Sequence, residues 1–325
     1  MMNKPSVLLI NLGTPEAPEP AAVRAYLAEF LSDRRVIEIP AIAWQPILRG
    51  IILRTRPRKS AEAYAQIWTE HGSPLAVITR RMTETLQARL GDAVLVRHAM
   101  RYGRPGIADE LKRMRAEGCE RILLAPLYPQ YCAATTATAN DRAFEVLAAM
   151  RDQPAIRTLP PYYDDPAYIG ALKTNLERQL AALQFAPERL LLSFHGMPER
   201  TRKLGDPYSD HCRQTARLLA EQLALPVDLA FQSRFGRAQW LRPYTAAVLA
   251  DYPGRGVKRL AVAAPGFSAD CLETLEELGI RGRDSFLAAG GEAFALLECL
   301  NDSAEGMGAL DALVRRELAG WLPAA

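Results

Sequence analysis

The chain is poor in the residues that announce metal clusters and membrane spans. Its five cysteines (Cys119, Cys132, Cys212, Cys271 and Cys299) are scattered through 325 residues. They form no Cys-x-x-Cys pair, which excludes a local zinc knuckle or four-cysteine motif. An odd count without a secretory leader suits a reducing compartment. No run approaches the roughly 18 apolar residues of a membrane-crossing helix, and the Met-Met-Asn-Lys-Pro start lacks the apolar core of a signal peptide. The expected location is the cytoplasm. A net charge of +3 gives no case for nucleic acid. No Gly-x-Gly-x-x-Gly follows the first strand-like run, so a nicotinamide dehydrogenase is a poor reading. There are only four histidines.

What is present is ordinary globular composition, 49% hydrophobic and 24% charged, in a length that suggests about two domains. Strand-like runs are Val7–Asn11, Ala93–Met100, Arg121–Pro126, Ala155–Leu159, Leu190–His195, Val227–Gln232 and Arg259–Ala264. Helical patterns lie between them, at Pro20–Phe30, Ser60–Glu70, Ala76–Leu90, Gly106–Glu117, Ala137–Met150, Pro166–Ala182, Ser209–Leu223 and Arg242–Asp251. Strand–helix alternation predicts an α/β protein with parallel sheets covered on both faces. Two such sheets side by side imply a cleft between domains. The Pro-rich stretch Leu159–Tyr163 marks the boundary. The expected domains are 1–160 and 161–304, with a last helix (Gly308–Trp321, within 305–325) whose stripe of Leu310, Leu313, Leu318 and Trp321 packs back on the first.

His195 is the most informative residue. It closes Leu190-Leu191-Leu192-Ser193-Phe194-His195-Gly196-Met197-Pro198-Glu199, a buried strand pattern ending in a loop. Open α/β sheets bind ligands at the carboxyl ends of their strands, and an imidazole there can move a proton near neutral pH or ligate a metal. Val7–Glu16 repeats the pattern with Leu12 where His195 stands. Leu123-Leu124-Ala125-Pro126, followed by Cys132, Ala134 and Thr135, matches Val262-Ala263-Ala264-Pro265, followed by Cys271, Glu273 and Thr274. Ala134 then corresponds to Glu273. The matches read as a duplication whose second half gained an imidazole and a carboxylate; strand–Gly–Pro punctuation shared by chance is the alternative. His71 (loop), His98 (strand end) and His211 (polar helix) are weaker candidates.

Asp270, Glu273 and Glu277 are spaced to share one helical face. Asp270 with Glu273 also resembles a capping box, and spacing alone favours capping. Glu277, a turn further on, is not needed for a cap. The first half is longer between its matched motifs, and the addition includes Arg34–Gly72. There Trp44, Ile47, Leu48, Ile51, Ile52 and Leu53 precede Arg54, Arg56, Arg58 and Lys59. An apolar lip with a basic border suits an amphipathic anion or a membrane surface, although composition favours an ordinary core helix followed by a solvated charge run.

Taken together, Asn11–Glu16, Tyr128-Pro129-Gln130-Tyr131, Ser193–Pro198, Phe231-Gln232-Ser233-Arg234-Phe235-Gly236 and Pro265–Glu277 closely resemble the ferrochelatase family over nearly the whole chain. The resemblance implies two Rossmann-like domains around a porphyrin cleft. It implies insertion of ferrous iron into protoporphyrin IX, the last step of haem synthesis. His195 is then the active-site base, Glu273 its opposed carboxylate, and Asp270 and Glu277 an acidic path. His195, Glu273 and Asp270 are the metal-contacting candidates. Leu12, Leu27, Phe30, Tyr64, Tyr131, Phe235 and Trp240 line the porphyrin, and Arg54 partners a propionate. No protein-bound cofactor is implied, iron being the substrate. Family members with a [2Fe–2S] cluster carry C-terminal cysteines, whereas the last cysteine here is Cys299. Relatives acting on coproporphyrin tend to carry Tyr where Leu12 stands. Peripheral contact with the inner membrane surface is expected. The rival readings are a coproporphyrin or other tetrapyrrole chelatase, and a non-catalytic porphyrin or haem carrier.

Overall fold

Eight parallel strands form, the central ones from runs of Leu, Ile and Val: β1 (Pro5–Gly13), β2 (Leu95–Tyr102), β3 (Arg121–Pro126), β4 (Ala155–Thr158), β5 (Arg189–His195), β6 (Val227–Gln232), β7 (Arg259–Ala263) and β8 (Ala293–Leu296). They belong to a computed structural model that describes residues 4–236 and 238–322. The first four make one sheet, ordered β2-β1-β3-β4, and the last four another, ordered β6-β5-β7-β8. The chain divides into two compact units. Unit 1 comprises the residues up to Tyr128, Cys132–Pro160 and those from Leu310 on; unit 2 comprises Pro129–Tyr131 and Pro161–Ala309.

Central strands of a parallel sheet are covered on both faces and so need continuous apolar runs. Val7 to Ile10 in β1 and Leu190 to Leu192 in β5 are completely buried, and each Leu or Ile so buried stabilises by about 1.5–3 kcal/mol. Helices follow from local signals. Pro20 and Pro166 open Pro20–Phe30 and Pro166–Ala182, as Pro does at a first helical position. At the second, Asp165 caps by accepting the Ala167 N–H at 2.9 Å.

Residue pairing shows how alike the sheets are. Leu8 faces Leu124 as Leu191 faces Val262, and Arg121 faces Ala155 as Arg259 faces Ala293. Met100 N–H donates to the Pro105 carbonyl (2.7 Å) and Phe231 N–H to that of Pro243 (2.8 Å). Leu12 and His195 occupy one position of this common frame, as do Arg101 and Gln232. The sequence match at the third strand is corrected by one residue: Val262 corresponds to Leu124, not Leu123. The frame returns to step at Cys132 and Cys271, because Thr135 Oγ1 donates to the Cys132 carbonyl as Thr274 Oγ1 does to that of Cys271. One residue more lies between strand and helix in unit 2.

Several elements differ from expectation. β8 carries no period-2 signal and follows Gly290-Gly291, so its pairing with β7 defines it. The helix expected at Ser60–Glu70 is Leu53–Ile67, because Arg54 to Lys59 are helical, with Arg54, Arg58 and Lys59 on its solvent side. His98 lies inside β2 rather than at its end. The last helix is Ala304–Glu317, and the division between units falls within it at Ala309/Leu310 rather than before it. Leu310, Leu313 and Leu318 are buried. Beyond the helix, the Arg157 guanidinium lies 4.2 Å from the Trp321 ring centre, and its Nη1 donates to the Ala319 carbonyl at 2.8 Å.

Candidate active site

Unit 2 gathers chemistry-bearing residues around the end of β6. His195 ends β5 half-buried, its ring 6.4 Å from Phe267 at 73°. Gly196 N–H donates to the Gln232 carbonyl at 2.8 Å. A Cβ on Gly196 would stand 2.4 Å from that oxygen and 3.2 Å from Trp240 Cε3, so glycine lets the backbone after His195 close onto β6. Pro198 bridges to Trp240, and Leu241 N–H donates to the Met197 carbonyl at 2.9 Å. The loop carrying His195 is thereby fastened to Gln239–Leu241.

Gln232 also reaches the acidic helix. Its Nε2 donates to the Glu273 carbonyl at 2.8 Å, and its Oε1 accepts from Ser193 Oγ at 2.8 Å. Ser193 Oγ lies 2.8 Å from Thr245 Oγ1, so buried hydroxyls complete the chain as burial demands. One residue thus binds the backbone beside His195 and the backbone of Glu273. Next to it, Ser233 adopts φ 63°. Its N–H and Oγ both donate to the Glu277 carboxylate, at 2.8 and 2.5 Å.

Glu273–Gly282 is a π-helix, a form frequent at functional sites. With more than four residues per turn, it keeps Glu273 and Glu277 on one side. The cap differs from the expected one. Asp270 Oδ1 accepts from Thr274 Oγ1 (2.8 Å), which itself accepts the Cys271 N–H (3.0 Å). Glu273 is therefore not consumed in capping. Burial, reinforced by the Glu273 carboxylate beside it, pushes the Cys271 thiol well up.

Asp270, expected to contact the metal and to continue an acidic path, has both carboxylate oxygens engaged by neighbouring residues. It is buried, and Oδ2 accepts from Asn301 Nδ2 (2.7 Å) and Cys299 N–H (3.2 Å). Both of its oxygens hold loops together. Among the described residues, no three His, Cys, Asp or Glu side chains converge as a metal-holding group.

Of the other candidates in unit 2, Phe235 is exposed and Trp240 half-buried. Trp240 Nε1 is buried without a hydrogen-bond partner among the described residues. Tyr131 is half-buried, and its N–H donates to His211 Nδ1 at 3.2 Å. Gln130 Oε1 lies 3.4 Å from where a Cβ would sit on Gly266, next to Phe267.

In unit 1, Leu12 is half-buried, and its N–H donates to Asn11 Oδ1 at 2.9 Å. Leu27 and Tyr64 are buried, and Phe30 packs edge-on to Tyr102 with ring centres 5.1 Å apart. Arg54 is exposed. The apolar lip is redrawn. Trp44 and Leu48 are core residues, Trp44 Nε1 donating to the Leu31 carbonyl at 2.6 Å. The exposed apolar residues are Ile39, Ile42, Ile47 and Ile51, with Ile42 at 89% and Ile51 at 59%.

The roles of Gln232 and Ser233 escaped the sequence. A signal existed in Ser193, a polar residue inside an apolar strand that needs a buried partner.

A ferrochelatase family profile matches residues 4–318. The chain is 53% identical to a ferrochelatase of Rhizobium meliloti (strain 1021), over 98% of this chain and 96% of that one. It is 52% identical to one of Azoarcus sp. (strain BH72), over 98% and 89%. Among solved structures, SirB from Bacillus subtilis with Fe3+ has a TM-score of 0.60 at 14% identity, covering 98% of this chain and 97% of that one. At such identity the likeness shows the fold alone.

Proposed function

We propose that this chain, which belongs to the ferrochelatase family of metal-inserting lyases of haem synthesis, inserts ferrous iron into protoporphyrin IX. The observation that carries the site assignment is the double attachment of Gln232, to Gly196 beside His195 and to the carbonyl of Glu273. It ties the backbone after His195 to the helix that carries Glu273 and Glu277, at strand ends, where open α/β sheets bind ligands.

A porphyrin is a flat apolar disc with two inner N–H protons and carboxylates at one edge. Insertion requires both protons to leave and the iron to shed water. In this reading His195 accepts the pyrrole protons, and Glu273 and Glu277 pass them on. Ser233 holds Glu277 with two neutral donors. His195 and Glu273 are the residues that meet the iron. Leu12, Phe30, Tyr131, Phe235 and Trp240 contact the ring, Leu27 and Tyr64 support that surface from beneath, and Arg54 pairs with a propionate. No bound cofactor enters these steps.

Purified protein with protoporphyrin and ferrous iron under reducing conditions should develop the absorption bands of protohaem. Binding of the ring with no insertion above background would point to a carrier, and faster insertion into coproporphyrin would move the substrate. Retention of near-normal insertion by His195→Ala would defeat the assignment of the base.

Exposed Ile42 and Ile51 beside Arg49, Arg54 and Arg58 support peripheral docking on an anionic membrane. Among the described residues no helix is long and apolar enough to cross one. Ile42→Ser with Ile51→Ser should abolish co-sedimentation with anionic vesicles; unchanged co-sedimentation would end that idea.

A further inference from the structure

The segment Pro129–Tyr131 leaves the sequence neighbourhood of unit 1 and belongs to unit 2, where helix Tyr208–Ala220 holds it. Two residues one turn apart on that helix make the attachment. Thr215 Oγ1 accepts from Gln130 Nε2 at 3.1 Å and donates to the Tyr163 carbonyl at 2.7 Å. His211 Nδ1 accepts the Tyr131 N–H at 3.2 Å. The imidazole is also stacked on Tyr163, with ring centres 3.6 Å apart and planes within 10°. Tyr162 N–H donates to the Pro129 carbonyl at 3.0 Å. The ring orientation is therefore fixed, and only a neutral imidazole with its proton on Nε2 can accept at Nδ1. An imidazolium presents N–H at both nitrogens and would confront the Tyr131 N–H with another donor.

We infer that His211 is a positioning residue for Tyr131: its neutral form holds the Tyr131 backbone in place for porphyrin, and protonation at Nδ1 releases it. This rests on the reading that Tyr131 contacts porphyrin. Burial lowers the pKa of His211, while the carboxylates of Asp164, Asp206 and Asp210 act to raise it. Those three act on it from the Tyr163 segment, the preceding loop and its own helix, and the Tyr163 ring covers one of its faces. Arg213 on the same helix is engaged elsewhere, with Nη2 donating to the Arg242 carbonyl at 3.3 Å. The net shift is downward, so the latch is closed at neutral pH and opens in acid.

The test uses the intact protein with zinc and protoporphyrin from about pH 8 to about pH 5, across the range where an imidazole titrates. The wild type, His211→Asn and His211→Leu are compared, with the Tyr131 amide followed by NMR. Asparagine can place Oδ1 where Nδ1 stood and accepts without titrating. The expected result is a KM for porphyrin that rises about three- to tenfold in acid for the wild type, the scale of one lost hydrogen bond. It should stay flat for His211→Asn and be raised at every pH for His211→Leu. The kcat profile, set by other groups, should be shared by the wild type and His211→Asn. A Tyr131 amide resonance that ignores the His211 titration would overturn the latch itself. An amide that follows it while KM is the same in the wild type and His211→Asn would overturn the role in positioning, and would place the failure in the porphyrin contact of Tyr131.

Discussion

The two units share a sheet order and a pairing register, yet their strand ends are furnished for different purposes. In unit 2, Gln232 donates to the π-helix and Ser233 holds Glu277 with neutral donors. In unit 1 the same two positions are Arg101 and Tyr102. Arg101 Nε donates to Thr138 Oγ1 at 2.7 Å, at the helix that follows a five-residue π-helical turn, Ala133–Ala137. Both Arg101 and Tyr102 donate to Asp33, as does Thr138. The carboxylate of unit 1 is thus locked by a permanent cation and two hydroxyl donors, an arrangement for holding a loop. In unit 2 the corresponding anchor is uncharged on the donor side, the Ser233 N–H and Oγ being its two donors. Leu12 and Ala134 against His195 and Glu273 complete the contrast. A frame that works as a fold twice carries an imidazole and a carboxylate at these positions only in its second copy.

The sharpest way to break this contrast is to exchange the burden of His195 and Leu12. His195→Ala should lower kcat by about 10²–10⁴-fold, the usual contribution of a positioned base. Leu12→Ala should change kcat less than tenfold and act mainly on porphyrin KM, which steady-state insertion assays separate. Equal losses from the two would end the asymmetry.

Next in size is a pair of glycines. Gly13 has φ +109°, and a Cβ on it would lie 1.8 Å from the Tyr102 carbonyl oxygen; on Gly196 the nearest contact, to Gln232 O, is 2.4 Å without a left-handed φ. Gly13→Ala should cost about 3 kcal/mol or more and Gly196→Ala about 1–3 kcal/mol, read from urea midpoints. Only the second should also disturb insertion in protein that remains folded.

A smaller effect is expected from Ser233→Ala, which leaves Glu277 one donor of the clamp. About 1 kcal/mol of stability should be lost at this half-buried site, with a few-fold fall in kcat.

The smallest is a pH effect in unit 1. Burial pushes Asp33 up, but hydrogen bonds from Thr138, the Arg35 N–H and Tyr102, with the Arg101 charge, hold it below the ordinary carboxylate value. Its stabilisation is therefore full above the unfolded carboxylate pKa and disappears as pH falls through the lower, folded one. The stability gap between the wild type and Asp33→Asn should close in acid along that course, measured by denaturant titration at several pH values.

How much of this was legible in the chain depends on the kind of signal. β3 and β6 end where apolar runs meet Pro or polar residues, and their limits follow from the sequence alone. β8 does not, because a short strand at a sheet edge is defined by its neighbour and not by its own pattern. Trp44 and Leu48 could be read as an apolar lip or, as composition favoured, as a core helix, because composition cannot tell the two sides of a helix apart; packing buries them and exposes Ile42. The acidic stripe showed that Asp270, Glu273 and Glu277 share a side. It could not show that Thr274 replaces Glu273 in the cap, since a hydroxyl one residue on competes equally well for Asp270. The attachments of Gln232 and His211 join residues far apart in sequence, and no local periodicity carries them.

The return of the chain to unit 1 after Ala309 has a consequence for biosynthesis. A ribosome releases every part of unit 2 before it releases the strap from Leu310 to Trp321 that Arg157 grips. The half encoded later is therefore released whole sooner, and the half begun first waits for the segment from Leu310 before its own packing is whole.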